Sequence, residues 1–140
     1  MLLGRITYEG FAAAWPGRDG EFAQKMNSMP KQVVTSTIGP LEWNASALKG
    51  DPTAAITELK QGEGGPILVA GSAMLVRTLL ARDLVDELRL MVFPVMIGGE
   101  LTVFPQQRDM ISLELSELTR YSSGVLLQVY RPSPAGYRQG

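Results

Sequence analysis

Short apolar runs alternate with helix-like stretches along the first part of this 140-residue chain. Leu2-Leu3 reads as the end of a strand, and residues 7–15 have the pattern of a short helix that Pro16-Gly17 terminates. Residues 17–30 are polar, which predicts a loop with a single helical turn. The β-branched run at residues 31–37 predicts the next strand.

The middle of the chain repeats this alternation. Residues 43–48 fit a small edge strand, and Asp51-Pro52 has the residue types of a helix start, with Asp as N-cap and Pro at the first helical position. Residues 66–70 are continuously apolar, as expected for a strand that is covered on both faces. Ser72 then follows as the N-cap of a helix that runs to Leu80.

The last part of the chain predicts strands without intervening helices. Residues 84–95 contain a long strand, residues 112–121 alternate apolar and polar positions, and residues 124–130 form the last strand. The earlier strand–helix alternation predicts an α/β fold with a mainly parallel sheet, and the late strands add an antiparallel C-terminal hairpin. We expect one domain over residues 1–132 and a tail at 133–140.

The composition excludes several classes of protein. Hydrophobic residues make up 45% of the chain, which is enough for a core. The net charge of −1 argues against a general affinity for nucleic acid or anionic membranes. The sequence has neither an apolar run of about 18 residues nor a secretory signal. We therefore expect a cytoplasmic protein with no nucleic-acid or membrane partner.

The chain contains no cysteine and no histidine. Disulfides, a thiolate nucleophile, a zinc site built on these residues and a Ser-His-Asp triad are therefore excluded. Acid–base work would fall to carboxylates, lysine, tyrosine or water. An enzyme of this composition is expected to rely on an organic cofactor for its chemistry.

Two apolar runs end in glycine directly before a helical pattern, at Gly4 and at Gly71. Helix N-termini after such turns present free backbone N–H groups and the positive end of the helix dipole, which suits the phosphates of a nucleotide. Arg5 is either a phosphate ligand or a surface arginine, and residues 35–37 either contact a cofactor or simply end a strand. The pattern favours a nucleotide-dependent protein.

Five short motifs occur in order along the chain. They are Gly4-Arg5-x-Thr7-Tyr8-Glu9, Val33-Val34-Thr35-Ser36-Thr37, Val69-Ala70-Gly71-Ser72-Ala73, Leu84-Val85-Asp86-Glu87-Leu88-Arg89-Leu90, and Phe93-Pro94-Val95 with Gly98-Gly99. In this order and spacing the chain resembles the dihydrofolate reductase-like superfamily. Within it, the chain is most similar to the reductase domain of riboflavin biosynthesis and its single-domain relatives.

This resemblance implies the three-layer α/β fold of that superfamily and an NADPH-dependent reductase that acts on a small pterin- or pyrimidine-like heterocycle. It implies three cofactor-binding segments. These are the turn of Gly4, Arg5, Ile6 and Thr7 at the pyrophosphate, the hydroxyls of Thr35, Ser36 and Thr37 at the adenosine ribose and its 2′-phosphate, and Gly71, Ser72, Ala73, Met74 and Leu75 on the other side of the pyrophosphate. No catalytic residue and no metal ligand can be carried over.

Two departures from the family pattern change the expectation. Dihydrofolate reductases proper have Gly-Gly where this chain has Gly71-Ser72, and the serine is familiar in the riboflavin-type relatives. Family members also begin with a central strand and a helix ahead of the Gly-Arg-x-Thr motif, so the usual first strand is expected to be lacking here. The alternative is a non-catalytic relative of the fold that binds nucleotide weakly or not at all.

The same features predict an assembly and a cofactor preference. A sheet without its central strand leaves unpaired edges and an apolar face, which predicts a homodimer. Arg5 and the hydroxyls at residues 35–37 suit a 2′-phosphate, and no acidic residue ends that strand to bind ribose hydroxyls instead. We therefore expect NADPH to be preferred over NADH.

Overall fold

The protein has an α/β fold whose described residues form one parallel and one antiparallel sheet of three strands each. The computed structural model describes residues 1–37, 39–99, 104 and 111–133. The chain divides into two compact units, Met1–Thr78 and Leu79–Gly140. The predicted parallel sheet and antiparallel C-terminal hairpin are both confirmed, although the described strands are shared equally between the two sheets.

The first unit contains the parallel sheet. In chain order its elements are β1 (Leu2–Gly4), α1 (Arg5–Ala14), α2 (Glu21–Ser28), β2 (Lys31–Val34), β3 (Ala45–Ala47), α3 (Pro52–Gln61) and most of α4 (Ala73–Leu80). The strand order is β1-β2-β3. On its other side β1 meets Val69 through a parallel bridge to Leu2, whose N–H donates to the Leu68 carbonyl at 2.8 Å.

The core of this unit forms where α1 packs on the sheet. Leu2, Leu3 and Val33 are at most 1% exposed. Leu3 and Val33 are in register and share the face on which Tyr8 packs, whereas Leu2 points to the opposite face of the sheet. Tyr8 is buried against Leu3 and Val33. Its hydroxyl accepts the Glu42 N–H at 2.8 Å and lies 3.1 Å from the Glu42 carbonyl, to which it donates. The hydroxyl therefore anchors α1 to the loop before β3.

The predicted start of α3 is confirmed in detail. Asp51 is the N-cap, with its Oδ2 atom accepting the Ala54 N–H at 2.8 Å, and Pro52 occupies the first helical position. The helix ends at Gly62, whose N–H donates to the Glu58 carbonyl. The sequence predicts both ends of α3 because each end is specified by residues that lie next to it in the chain.

The predicted loop at residues 17–30 is wrong over most of its length, since α2 occupies Glu21–Ser28. Its apolar face is narrow, with Ala23 and Met26 buried three residues apart. The remaining positions are mostly polar and exposed, which made the segment resemble a loop. A short amphipathic helix needs only such a pair to pack on a neighbour.

Two predicted strands are shorter than expected. β2 ends at Val34, so residues 35–37 form a turn beyond it. The segment at 66–70 makes only one bridge among the described residues, at Val69, and Ile67 and Leu68 are 37% and 48% exposed. The expectation of a strand covered on both faces is therefore wrong for this segment, because an apolar run does not reveal whether partner strands are present.

The second unit contains the antiparallel sheet, formed by β4 (Leu88–Val92), β5 (Leu113–Arg120) and β6 (Leu126–Pro132) in the order β4-β6-β5. The strand register shows which side chains lie on each face of this sheet. One face, which we call the apolar face, carries mostly uncharged side chains, with Arg120 at the end of β5: Leu88, Leu90, Val92, Leu115, Leu118, Arg120, Leu126, Gln128 and Tyr130. The other carries the charged side chains of Arg89, Glu114, Glu117 and Arg131.

Across the described part of the chain, no helix combines the length and the hydropathy that a bilayer crossing requires. Of the predicted tail, residues 134–140 lie outside the described residues.

A buried lysine lies at the amino end of β2. Lys31 is 1% exposed, its Nζ donates to the Asn27 carbonyl at 3.0 Å, and it lies 3.9 Å from the centre of the Trp43 ring. The Trp43 indole N–H donates to Asn27 Oδ1 at 2.7 Å, which holds the ring in position. Burial lowers the pKa of Lys31 below its ordinary value of 10.5, because desolvation disfavours the charged amine.

Replacing Lys31 with methionine should remove an alkaline rise in stability. Between the lowered folded-state pKa and 10.5, the unfolded chain binds more protons than the folded chain, so the free energy of unfolding of the wild type rises with pH. Urea denaturation from neutral pH to about pH 11 should show this rise in the wild type and a flatter profile in Lys31→Met. Lys49→Met, at an exposed position, is the control, and identical profiles for all three proteins would contradict the assignment.

Candidate functional site

Three of the sequence-predicted segments come together at one edge of the parallel sheet. Gly4 is in register with Val34, and Leu2 bridges Val69 in the same direction. The chain therefore leaves β1, β2 and the Val69 segment on the same side, since parallel strands end at a common edge. At this carboxyl edge lie Arg5, Thr35 and Gly71, the residues at which the predicted cofactor segments begin or continue.

The first turn of α1 presents backbone N–H donors at this edge. The helix follows Gly4 directly, without a side-chain cap and without an acidic residue in its first turn. The first backbone N–H groups of a helix have no acceptor within the helix. Together with the helix dipole they make the start of α1 a favourable position for an anion.

The start of α4 approaches the start of α1 closely. A Cβ atom on Gly4 would lie 3.1 Å from the Ser72 Cβ and 3.2 Å from its Oγ. Ser72 accepts the Val76 N–H at 3.0 Å through its carbonyl, so α4 begins beside this contact. The absence of a side chain at Gly4 is therefore what allows the two helix starts to meet.

Gly71 completes this contact from the other side. Its φ of +85° lies in the left-handed region that favours glycine, and a Cβ there would lie 3.8 Å from Thr7 Oγ1. The peptide bond between Gly71 and Ser72 is cis. The hydroxyls of Thr7 and Ser72 thus belong to one small cluster with the two glycines.

The three hydroxyl residues after β2 form a compact turn. Thr35 Oγ1 accepts the Thr37 N–H at 3.2 Å and lies 3.1 Å from both the carbonyl and the hydroxyl oxygen of Thr37. Thr35 is half-buried, whereas Ser36 and Thr37 are exposed. The turn orients its hydroxyls locally and needs no neighbouring element to do so.

The remaining predicted residues differ in what they present. Ile6 and Met74 are 76% and 74% exposed, and they stand in the first turns of α1 and α4. Ala73 is also exposed. Leu75 is 8% exposed and belongs to the core, so only its backbone is available to a ligand.

Arg5 lies on the exposed side of α1 and forms an ion pair with Glu9. The Nη1 atom of Arg5 is 3.2 Å from Glu9 Oε1, and the two side chains are 54% and 56% exposed. The motif at the start of the chain predicts a role for Arg5 but none for Glu9. Opposite charges four residues apart on a helix predict such an ion pair, so the sequence contains the information needed to find it.

Together these features suit the recognition of a phosphorylated ligand. The edge offers first-turn amides, the hydroxyls of Thr7, Thr35 and Ser72, and one guanidinium. All of these groups donate hydrogen bonds to anionic oxygens. None of them is a strong base, so the chemistry of the cluster suits the binding of an anion better than the transfer of a proton.

Comparison with known proteins gives a consistent family. Residues 1–127 match the model of the RibD C-terminal domain. The uncharacterized protein YyaP of Bacillus subtilis (strain 168) is 29% identical over 135 residues, which cover 93% of this chain and 72% of that protein.

Solved structures of related proteins share the fold. A putative riboflavin biosynthesis protein from Shewanella sp. PV-4 gives a TM-score of 0.74 at 20% identity, over 94% of this chain and 72% of that one. A pyrimidine reductase-like protein from Corynebacterium diphtheriae gives a TM-score of 0.66 at 13% identity, over 94% and 75% of the two chains.

The contact between Gly4 and Ser72 predicts a coupled pair of substitutions. Gly4→Ala should lower the free energy of unfolding by about 1–3 kcal/mol, because the new methyl group overpacks the start of α4. In a Ser72→Gly background the same change should cost little, since the atoms that it would meet are gone. Thermal or urea denaturation of the four proteins gives the coupling energy directly.

Gly10→Ala is the matched control for this experiment. Gly10 lies within α1, and a Cβ there would meet no atom within 4 Å. This change should raise stability by up to about 1 kcal/mol through helix propensity. Additive effects of Gly4→Ala and Ser72→Gly would contradict the close approach.

Proposed function

This chain belongs to the RibD C-terminal domain family, and we propose that it is an NADPH-dependent reductase of a small pterin- or pyrimidine-like heterocycle. The observation that carries the proposal is the meeting of the two helix starts at Gly4 and Ser72 beside the turn that follows β2. Family membership supports a reductase. The names of the Shewanella and Corynebacterium proteins support the heterocyclic class of substrate.

The residues at the carboxyl edge fit the phosphates of a dinucleotide. Gly4 and Gly71 allow close approach of the backbone, and the first-turn amides of α1 can donate to a pyrophosphate. Ser72, Ala73 and Met74 would hold the pyrophosphate from the side of α4, with Thr7 between the two helices. In this arrangement backbone N–H groups would bind the negative charge of the pyrophosphate, and small side chains would leave room for it.

The adenosine end of the cofactor would lie at the turn after β2. Thr35, Ser36 and Thr37 carry the hydroxyls for the ribose and its 2′-phosphate, and Arg5 supplies the positive charge. The chemistry that NADPH supplies when bound is hydride donation from the nicotinamide. The chain itself contributes binding and orientation, and the proton comes from water or from a group that the sequence does not identify. The cytoplasm, where NADPH and such heterocycles are found, is the expected location.

A homodimer is the second part of the proposal. On the apolar face, Val92, Leu115 and Leu118 are 45%, 48% and 57% exposed, and its charged residue, Arg120, lies at the end of β5. Exposed apolar surface of this kind marks a contact with another protein. A second copy of the same face is a suitable partner, because its exposed apolar side chains can bury one another in an isologous contact while Arg120 stays at the end of β5.

Arg5→Ala should weaken NADPH binding much more than NADH binding. A charge-assisted contact with a phosphate at an exposed position is worth about 1.5 kcal/mol, or roughly tenfold in affinity, and NADH has no 2′-phosphate. Calorimetric titration of both cofactors measures the difference. Arg18→Ala, which removes a cation beyond the opposite end of α1, is the control and should change neither affinity.

Equal losses for the two cofactors would remove Arg5 from the 2′-phosphate position. If neither cofactor binds the wild type at about millimolar concentration, the non-catalytic alternative replaces the proposed reductase.

Leu118→Lys should convert the dimer to a monomer, because it introduces a charge among the exposed apolar side chains of this face. Light scattering at about micromolar concentration gives the mass of each protein. Glu114→Lys introduces the same side chain on the opposite face of β5 and should leave the dimer intact. A monomeric wild type under these conditions would contradict the assembly.

A further inference from the structure

The position of Arg5 in its helix is electrostatically unfavourable without an anion nearby. It is the first residue of α1, where the helix dipole places positive potential. The first turn has no acidic residue, and Gly4 provides no side-chain cap. A cation at this point therefore adds charge of the same sign, and the helix start gains from any negative group that approaches it.

Glu9 is the group that fills this role in the free protein. Its Oε1 atom lies 3.2 Å from Arg5 Nη1, one helical turn along the same side of α1. The contact joins one nitrogen and one oxygen, and both side chains are more than half exposed. An exposed pair of this kind is weak, so a stronger anion can displace the carboxylate from the guanidinium.

We propose that Glu9 is a specificity-determining residue that competes with the 2′-phosphate of NADPH for Arg5. This inference rests on the proposed function, because it requires Arg5 to face the 2′-phosphate. When the phosphate binds, Arg5 either leaves Glu9 or holds both anions at once. In both cases the carboxylate lowers the affinity for the phosphorylated cofactor, whereas the uncharged ribose hydroxyl of NADH experiences little of this effect.

Glu9 acts through Arg5 and is not itself a ligand of the cofactor. It tunes how strongly the site discriminates between the two nicotinamide cofactors, and it keeps Arg5 extended along α1 when no phosphate is present. The proposal therefore predicts that removing the negative charge increases discrimination, which is the reverse of what loss of a binding residue does.

Glu9→Gln tests this role, because glutamine keeps the size of the side chain and removes its charge. NADPH and 2′-AMP should bind about two- to fivefold more tightly to the variant, while NADH and 5′-AMP change little. The gain should shrink at high salt, since it arises between exposed charges. Glu58→Gln, at an exposed position of α3, is the matched control and should bind all four ligands as the wild type does.

A double-mutant cycle separates the action of Glu9 from a structural effect. In an Arg5→Ala background, Glu9→Gln should change NADPH affinity less than it does in the wild type, because the residue through which it acts is gone. Full additivity of the two substitutions would overturn the competition between Glu9 and the phosphate.

The outcomes also distinguish this inference from the proposed function. Unchanged NADPH affinity in Glu9→Gln, with a loss still seen in Arg5→Ala, overturns the role of Glu9 and leaves the reductase proposal intact. Equal tightening of NADPH and NADH overturns it as well, because Arg5 then faces a phosphate common to both cofactors. A wild type that binds none of the four ligands overturns both proposals.

Discussion

The first unit depends on the pairing of the three-residue strand β1 with a neighbour on each side. Leu2 and Leu3 are almost completely buried, β2 pairs with one edge of the strand, and Val69 bridges the other. Leu2 and Leu3 point to opposite faces and both are buried, so β1 is covered on both faces and paired along both edges. The register of this pairing determines where α1 begins, and it brings the segment at Gly71 alongside Gly4.

The two edges of the parallel sheet have different electrostatic character. At the amino edge, Lys31 is buried under Trp43 with its ammonium group donating to a carbonyl. At the carboxyl edge, the Arg5 side chain is 54% exposed and stands at the start of α1, whose first amides have no acceptor within the helix. A buried cation is inaccessible and contributes to the packing, whereas an exposed cation at a helix start is accessible to a ligand. The candidate site is therefore confined to one edge.

How far the sequence predicts the structure depends on how local each determinant is. The start of α3 follows from Asp51 and Pro52, and the turns at Gly4 and Gly71 follow from glycine next to an apolar run. In contrast, the helix at Glu21–Ser28 and the sparse pairing of residues 66–70 depend on which elements lie beside them. Several local motifs occur in the expected order, and they are sufficient to identify the family and the α/β class. The pairing of residues 66–70 depends on neighbouring strands, so the sequence does not predict it.

The same distinction applies within the candidate site. Spacing along the chain indicates which residues carry donors, but the closeness of Gly4 to Ser72 arises from strand register. Leu75 belonged to a motif and yet lies in the core, because consecutive residues of a helix point in different directions. Motif membership therefore identifies the segment that faces a ligand, and the helical period decides which of its side chains do so.

The turn after β2 has a consequence for how tightly any ligand could bind there. Thr35 Oγ1 is already engaged with the backbone and the hydroxyl of Thr37. A ligand oxygen that approaches this hydroxyl exchanges one hydrogen bond for another, so the gain in enthalpy is small. The entropic cost of binding is also small, because the Thr35 side chain has already lost its rotational freedom in the free protein. The turn is thus suited to discriminating between ligands by shape and charge, with the bulk of the affinity arising elsewhere along the sheet edge.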